Sequence, residues 1–188
     1  MNEETRKTGS WTTIRQQLAL LEKPALLALV KDLYLAAPGN RDFLHARYPP
    51  QGGGEEALEA YRRKIVEQFF PARGFGKLKL AEARKAIRDY RKATGQLAGT
   101  VELMMTYVEN GARFTQEYGD IEERFYDSVE SVLDELAALL LGEARSLYPG
   151  FESRLARVKK MTADMGWGFG DHVREVVSEL EERFAGSA

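Results

Sequence analysis

The stretch "DIEERFYDSVESVLDELAALL", residues 120–140, decides the fold class. Ile121, Phe125, Val129, Val132, Leu133, Leu136 and Leu140 recur at steps of three and four, which places them on one face of a helix, with carboxylates filling the other face. Asp120 followed by Glu123 reads as a capping box, in which each side chain satisfies an amide that the first helical turn leaves open.

The same period extends outward in both directions, and no run alternates apolar and polar residues over a strand's length. Toward the N-terminus, residues 97–109 carry Leu97, Val101, Met104, Met105 and Val108 on one side, with Asn110-Gly111 expected to break the helix. Residues 79–94 carry Leu80, Ala83, Ile87 and Tyr90 and close at Gly95. Residues 55–70 carry Leu58, Tyr61, Ile65 and Phe69 and close at Pro71. Earlier still, Ile14, Leu18 and Leu21 mark a helix over 11–22. Pro24 opens another with Leu26, Leu27, Val30, Leu33 and Tyr34, and Asn40 is the expected cap of a short third one. Beyond residue 140, Phe151, Leu155, Val158 and Met165 mark one helix, and Asp171 is expected to cap a last one facing inward through Val173, Val176, Val177, Leu180 and Phe184.

The expectation is an all-α protein, an irregular bundle of about eight mostly antiparallel helices, with a solenoid-like stack of helical hairpins as the alternative. "PPQGGG", residues 49–54, is the most linker-like segment. It divides the chain into a tail over 1–10, an N-terminal helical subdomain over 11–50 and a main bundle over 55–185.

Composition removes several kinds of chemistry. With no cysteine there is no disulfide framework, thiolate zinc site, iron–sulfur cluster or cysteine nucleophile. The two histidines, His45 and His172, form no paired metal-ligand motif, and no serine sits in a nucleophile elbow. The longest apolar run, Leu136 to Leu141, is far short of the roughly 20 residues of a membrane span, and "MNEETRKTGS" has no apolar export segment. A cytoplasmic protein with no cofactor, no bound metal and no membrane association is expected.

Charge is unevenly distributed. Eleven basic residues face three acidic ones between Arg62 and Lys92, and nine acidic residues face one arginine between Glu117 and Glu143. One reading makes Arg84, Arg88 and Arg91 of the basic helix 79–92 a stripe for nucleic-acid phosphates. The other makes the two blocks neighbouring faces of one bundle, and the sequence pI of about 5.9 favours it. A third possibility is that they meet across subunits.

Three further stretches carry candidate binding residues. In "RGFGKLKL", residues 73–80, Arg73 and Lys77 could hold an anion near a helix start, although no phosphate-loop motif is present. In "YVENGARFTQEYGD", residues 107–120, Glu109, Arg113 and Glu117 are the ingredients of acid–base or cation chemistry, or else of a structural corner in which Arg113 pairs with a carboxylate. Phe114 and Tyr118 read as core anchors there. In "MGWGFGDH", residues 165–172, three glycines are expected to bring Trp167 and Phe169 together, as a plug or as a pocket wall with Asp171 and His172.

"FFPARGFGKLKLAEARKAI", "YVENGARFTQEYGDIEERFYDSVESVL" and "GWGFGD" resemble the signature blocks of a family of small, mostly bacterial helical proteins known only as a domain of unknown function. "ALLALVKDLYLAAPGNRDFL" is similar to that family's first helical pair, so the likeness runs from about Trp11 to Phe184. The resemblance implies a helical fold and carries no catalytic or binding residue across to this sequence.

The leading expectation is therefore a non-catalytic binding or interaction module that engages a protein partner or itself. Its ligand site, if the stretches meet, would draw on Arg73, Lys77, Arg113, Glu117, Trp167 and His172. The alternatives are nucleic-acid binding through Arg84, Arg88 and Arg91, and a metal-assisted hydrolase using the carboxylates of 109–120.

Overall fold

The computed structural model describes residues 10–186 and is all-helical, with nine α-helices, one 3-10 turn and no strand among the described residues. The helices from residue 54 onward form an irregular bundle rather than a repeating stack. Two compact units divide between Leu44 and His45.

The N-terminal unit holds α1 (Trp11–Leu18), α2 (Lys23–Ala36) and most of α3 (Pro38–Arg47). Of the tail expected over 1–10, only Ser10 lies within the described residues. Its hydroxyl caps α1 by accepting the Thr13 N–H. Pro24 stands in the first turn of α2, where its missing N–H breaks no helical bond. Asn40 does not cap a helix as expected. It lies inside α3 and donates its side-chain amide to the Leu33 carbonyl at 2.7 Å, giving an orphan carbonyl near the end of α2 a partner.

The C-terminal unit holds α4 (Gly54–Phe69), α5 (Leu80–Thr94), α6 (Leu97–Tyr118), α7 (Glu123–Leu141), a 3-10 turn (Arg145–Leu147), α8 (Tyr148–Met161) and α9 (Phe169–Ala185). Its axis is α6, which packs against α4, α5, α7 and α8 and carries the longest buried face. On α4, Tyr61, Ile65 and Phe69 recur every four residues and are buried. Alanines at 83, 86 and 93 keep the buried face of α5 thin beside Ile87 and Tyr90, and Gly95 ends the helix in the left-handed conformation.

Several local expectations are corrected. Helix α6 runs straight through Asn110-Gly111. The Asn110 amide donates to the Thr106 carbonyl one turn back, and Gly111 lies close against α7, since a Cβ there would sit 2.7 Å from Val129 Cγ2. Glu122, not Asp120, is the residue before α7, and it makes no side-chain cap; Asp120 instead accepts from the Tyr126 hydroxyl at 3.4 Å. Asp171 lies inside the first turn of α9, where it pairs with Arg174, and the cap position is Gly168 with φ +77°. Helix α8 stops at Met161, which leaves Met165 in the following turn.

Candidate functional site

One end of the C-terminal unit gathers the stretches that the sequence singled out. The chain leaving α4 doubles back, because Leu78 N–H donates to the Gln68 carbonyl at 2.9 Å and Gly76 lies where a Cβ would be 2.3 Å from the Phe69 carbonyl oxygen. That reversal sets the Phe75 ring edge-on to Tyr118 at 4.7 Å and to Phe114 at 5.3 Å. Phe70 joins them, with its ring 5.7 Å from Phe114 and the Arg113 guanidinium 4.4 Å above its face. Phe114 continues inward to Phe69 and Phe125, so the outer rings stand on a buried aromatic column.

The turn between α8 and α9 reaches the same end from another side. A Cβ on Gly166 would lie 3.5 Å from the Asp120 carboxylate, two residues past Tyr118, and Phe169 packs against Tyr126 at 5.2 Å. Trp167 and Phe169 are not paired as expected. Phe169 is fully buried, whereas Trp167 is 61% exposed in a left-handed backbone conformation, φ +59°. Tyr118 is not the core anchor expected either. It is 45% exposed and Phe75 is 59% exposed, so three large aromatic side chains face water at this end.

The six candidate ligand residues do not all meet. Arg113 pairs with Glu117 at 3.8 Å beside Phe70, and the exposed Arg73 and Lys77 bracket Phe75 in the loop. Trp167 belongs to the same end through Gly166 and Asp120. His172 does not, because its Nε2 lies 2.8 Å from the Asp134 carboxylate, three turns along α7.

The basic block faces the acidic one. Arg84 donates to Ser131 at 3.1 Å and to Glu135 at 2.6 Å, and Arg91 pairs with Glu143 at 2.5 Å, while Arg88 is exposed. Two of the three arginines offered for phosphate contacts thus already have carboxylate partners within the unit.

Glu109 is likewise engaged. Arg154 of α8 grips it with two hydrogen bonds, 2.9 Å and 2.6 Å, and reaches Glu102 at 2.6 Å; Arg62 then joins Glu102 at 3.2 Å and Glu59. The Glu109 carboxylate raises the pKa of the Arg154 guanidinium above its already high value, Glu102 adds to this, and burial opposes both. The five groups tie α4, α6 and α8 together. Sequence reasoning missed this network, although Glu102 and Glu109, two turns apart on one helical face, were its visible half. Glu117 lies about 12 Å from Glu109 along α6, at 1.5 Å per residue, so the two carboxylates do not form a pair. Among the described residues no three histidine, aspartate or glutamate side chains are grouped to hold a metal ion, and no helix is long and apolar enough to cross a membrane.

Burial pushes the Glu130 carboxyl of α7 above the usual carboxylate range. Asp127 and Asp134 add to this, and His172 works against it. A raised carboxyl pKa subtracts stability at neutral pH, and the penalty disappears as pH falls through the folded-state value. Glu130→Gln is therefore expected to raise the thermal midpoint slightly at pH 7.5. The gap to the parent should narrow as the pH is lowered toward the ordinary glutamate range of about 4.3, in melts followed by circular dichroism.

Fold and surface together define an all-helical protein with an exposed aromatic end. Comparisons with protein-family models, curated proteins and solved structures return no match for this chain.

Proposed function

We propose that this is a non-catalytic interaction module of the cytoplasm that binds a protein partner through the aromatic end. The observation that carries the reading is the exposed set Phe75, Tyr118 and Trp167, with Trp167 held outward by a backbone conformation that costs a non-glycine residue on the order of 1–2 kcal/mol. Packing does not account for it, because the neighbouring Phe169 fills the core while Trp167 stays in water. Aromatic and arginine side chains dominate the binding energy of interfaces, and a tryptophan already fixed in place loses little freedom when a partner covers it. Arg113, over the Phe70 ring, and its partner Glu117 supply polar neighbours to this set, and Arg73 and Lys77 are exposed residues of the loop that carries Phe75. The partner we infer is a protein segment that offers an apolar side chain flanked by carboxylates.

The nucleic-acid and hydrolase alternatives draw less support. Arg84 and Arg91 are paired within the unit, and Glu109 would have to release Arg154 before it could hold a cation.

A photoreactive phenylalanine analogue placed at position 167 is expected to form an adduct of discrete mass in cells, and the same analogue at Arg174, on an exposed face of α9, is not. Trp167→Ala should then weaken binding of the captured protein by about 30-fold or more, the loss typical of a central aromatic anchor. Equal labelling from both positions, or unchanged affinity in Trp167→Ala, would sink the reading.

A further inference from the structure

Within the C-terminal unit, α5 and α7 lie side by side over α6, and between them is a slot of about 60 Å³. Its floor is apolar. Ile87 of α5, Met104 of α6 and Val132 of α7 line it, each 4% exposed or less. The rest of its lining is charged, with Arg84, Arg88 and Arg91 at i, i+4 and i+7 on one face of α5 and Glu135 on α7.

The outer two arginines are held. Arg84 donates to Ser131 and Glu135, and Arg91 pairs with Glu143, so a bridge from α5 to α7 stands on either side of Arg88. Arg84 and Arg91 are about 10 Å apart along α5 at 1.5 Å per residue. Arg88, between them, is exposed and makes no ion pair among the described residues. Three guanidiniums and two carboxylates thus surround one apolar floor, leaving one positive charge unmatched.

We infer that the slot binds a monocarboxylate with a short aliphatic arm, the carboxylate on Arg88 and the arm over Ile87, Met104 and Val132. Charge selects the head group. A single carboxylate matches the single unpaired guanidinium and accepts two parallel hydrogen bonds from it, whereas a phosphate carries up to two charges at neutral pH and would face Glu135. Volume selects the arm, because this space admits only a few non-hydrogen atoms and excludes a ring system or a long acyl chain. An uncharged ligand would cover Arg88 without pairing it, which costs free energy. A free short-chain acid and the C-terminal residue of a peptide share this chemistry.

Titration of the full chain, labelled with ¹³C at its methionine methyl groups, tests the assignment and separates those two sources. Isovalerate and acetyl-Gly-Gly-Val are added separately at pH 7 and constant ionic strength, up to about 50 mM. The Met104 signal, identified by its loss in Met104→Leu, is expected to shift saturably with a dissociation constant on the order of 1–10 mM. Arg88→Gln should weaken binding about fivefold or more, and Arg88→Lys, which keeps the charge without the planar fork, by less. Arg88 is exposed, so neither change disturbs the core. The alcohol 3-methyl-1-butanol, with the same arm and no charge, should bind about fivefold or more weakly than isovalerate. Tighter binding of isovalerate makes the ligand a small molecule, and tighter binding of the peptide makes it a protein C-terminus; both support the inference. No saturable shift with either acid overturns it, as does an equal response to the alcohol or undiminished binding in Arg88→Gln. None of these residues belongs to the aromatic end, so failure here leaves the proposed protein-binding surface to its own test.

Discussion

Gly170→Ala is expected to destabilise the protein by about 2–4 kcal/mol and lower its thermal midpoint by roughly 5–15 °C, although it adds one methyl group to a helix. An alanine Cβ at this position would stand 2.3 Å from the Thr162 carbonyl oxygen, and 3.3 and 3.4 Å from those of Met165 and Ala163. The obstacles are backbone atoms, so no rotamer change relieves the clash, and α9 must shift away from the end of α8. That shift would draw Phe169 and Val173, both fully buried, out of their places in the core. Gly150→Ala is the internal control. Gly150 also lies within a helix, α8, but a Cβ there meets nothing within 4 Å, so the alanine should be neutral or stabilise by up to about 1 kcal/mol. Thermal melts of the two variants side by side check the argument. Equal midpoints would mean that α8 and α9 are less tightly joined than the close approach of Gly170 requires.

Removing the guanidinium that joins α8 to α6 is expected to have the next largest effect. Arg154→Met keeps most of the aliphatic stem but leaves Glu102 and Glu109, 23% and 26% exposed, without their shared cation. Breaking a fully buried pair typically costs about 3–5 kcal/mol, and partial exposure reduces this to about 2–3 kcal/mol here. Much of that loss is the penalty of stranding carboxylates, so it should be recoverable. Adding Glu109→Gln to Arg154→Met should return about 1 kcal/mol, whereas Glu109→Gln alone should destabilise. Urea unfolding of the four proteins closes the cycle, and strictly additive losses would show that Arg154 and Glu109 do not act as a pair. Arg62 should buffer the effect, because it remains bonded to Glu102 when Arg154 is gone.

What was legible in the sequence follows from the range of the forces involved. The apolar face of α7 was read correctly from Phe125 to Leu140 because helix periodicity records which side of a segment avoids water. Gly95 and Pro71 ended their helices as expected, since both act through their own backbone geometry. Asn110-Gly111 misled for the complementary reason. The pair reads as a helix stop in isolation, but Gly111 is there to admit Val129 from another helix, and nothing within its own segment records that. Asp120 and Asp171 misled similarly, as a carboxylate near a helix start caps it only if no better partner arrives, and Tyr126 and Arg174 did.

The candidate site divides along the same line. Its ingredients were visible as unusual local composition around Arg73, Arg113 and Trp167. Their meeting was not, because it depends on the loop after α4 doubling back onto α6 and on the α8–α9 turn reaching Asp120. The sequence by itself determined the helical class, the apolar face of each long helix and the two opposed charge blocks, all of which are set by neighbours within a few residues. Only the tertiary structure decided which carboxylates met Arg154, which tryptophan or phenylalanine stayed outside, and which glycines mark helix contacts, because those outcomes are set by atoms dozens of residues away that arrive together only on packing.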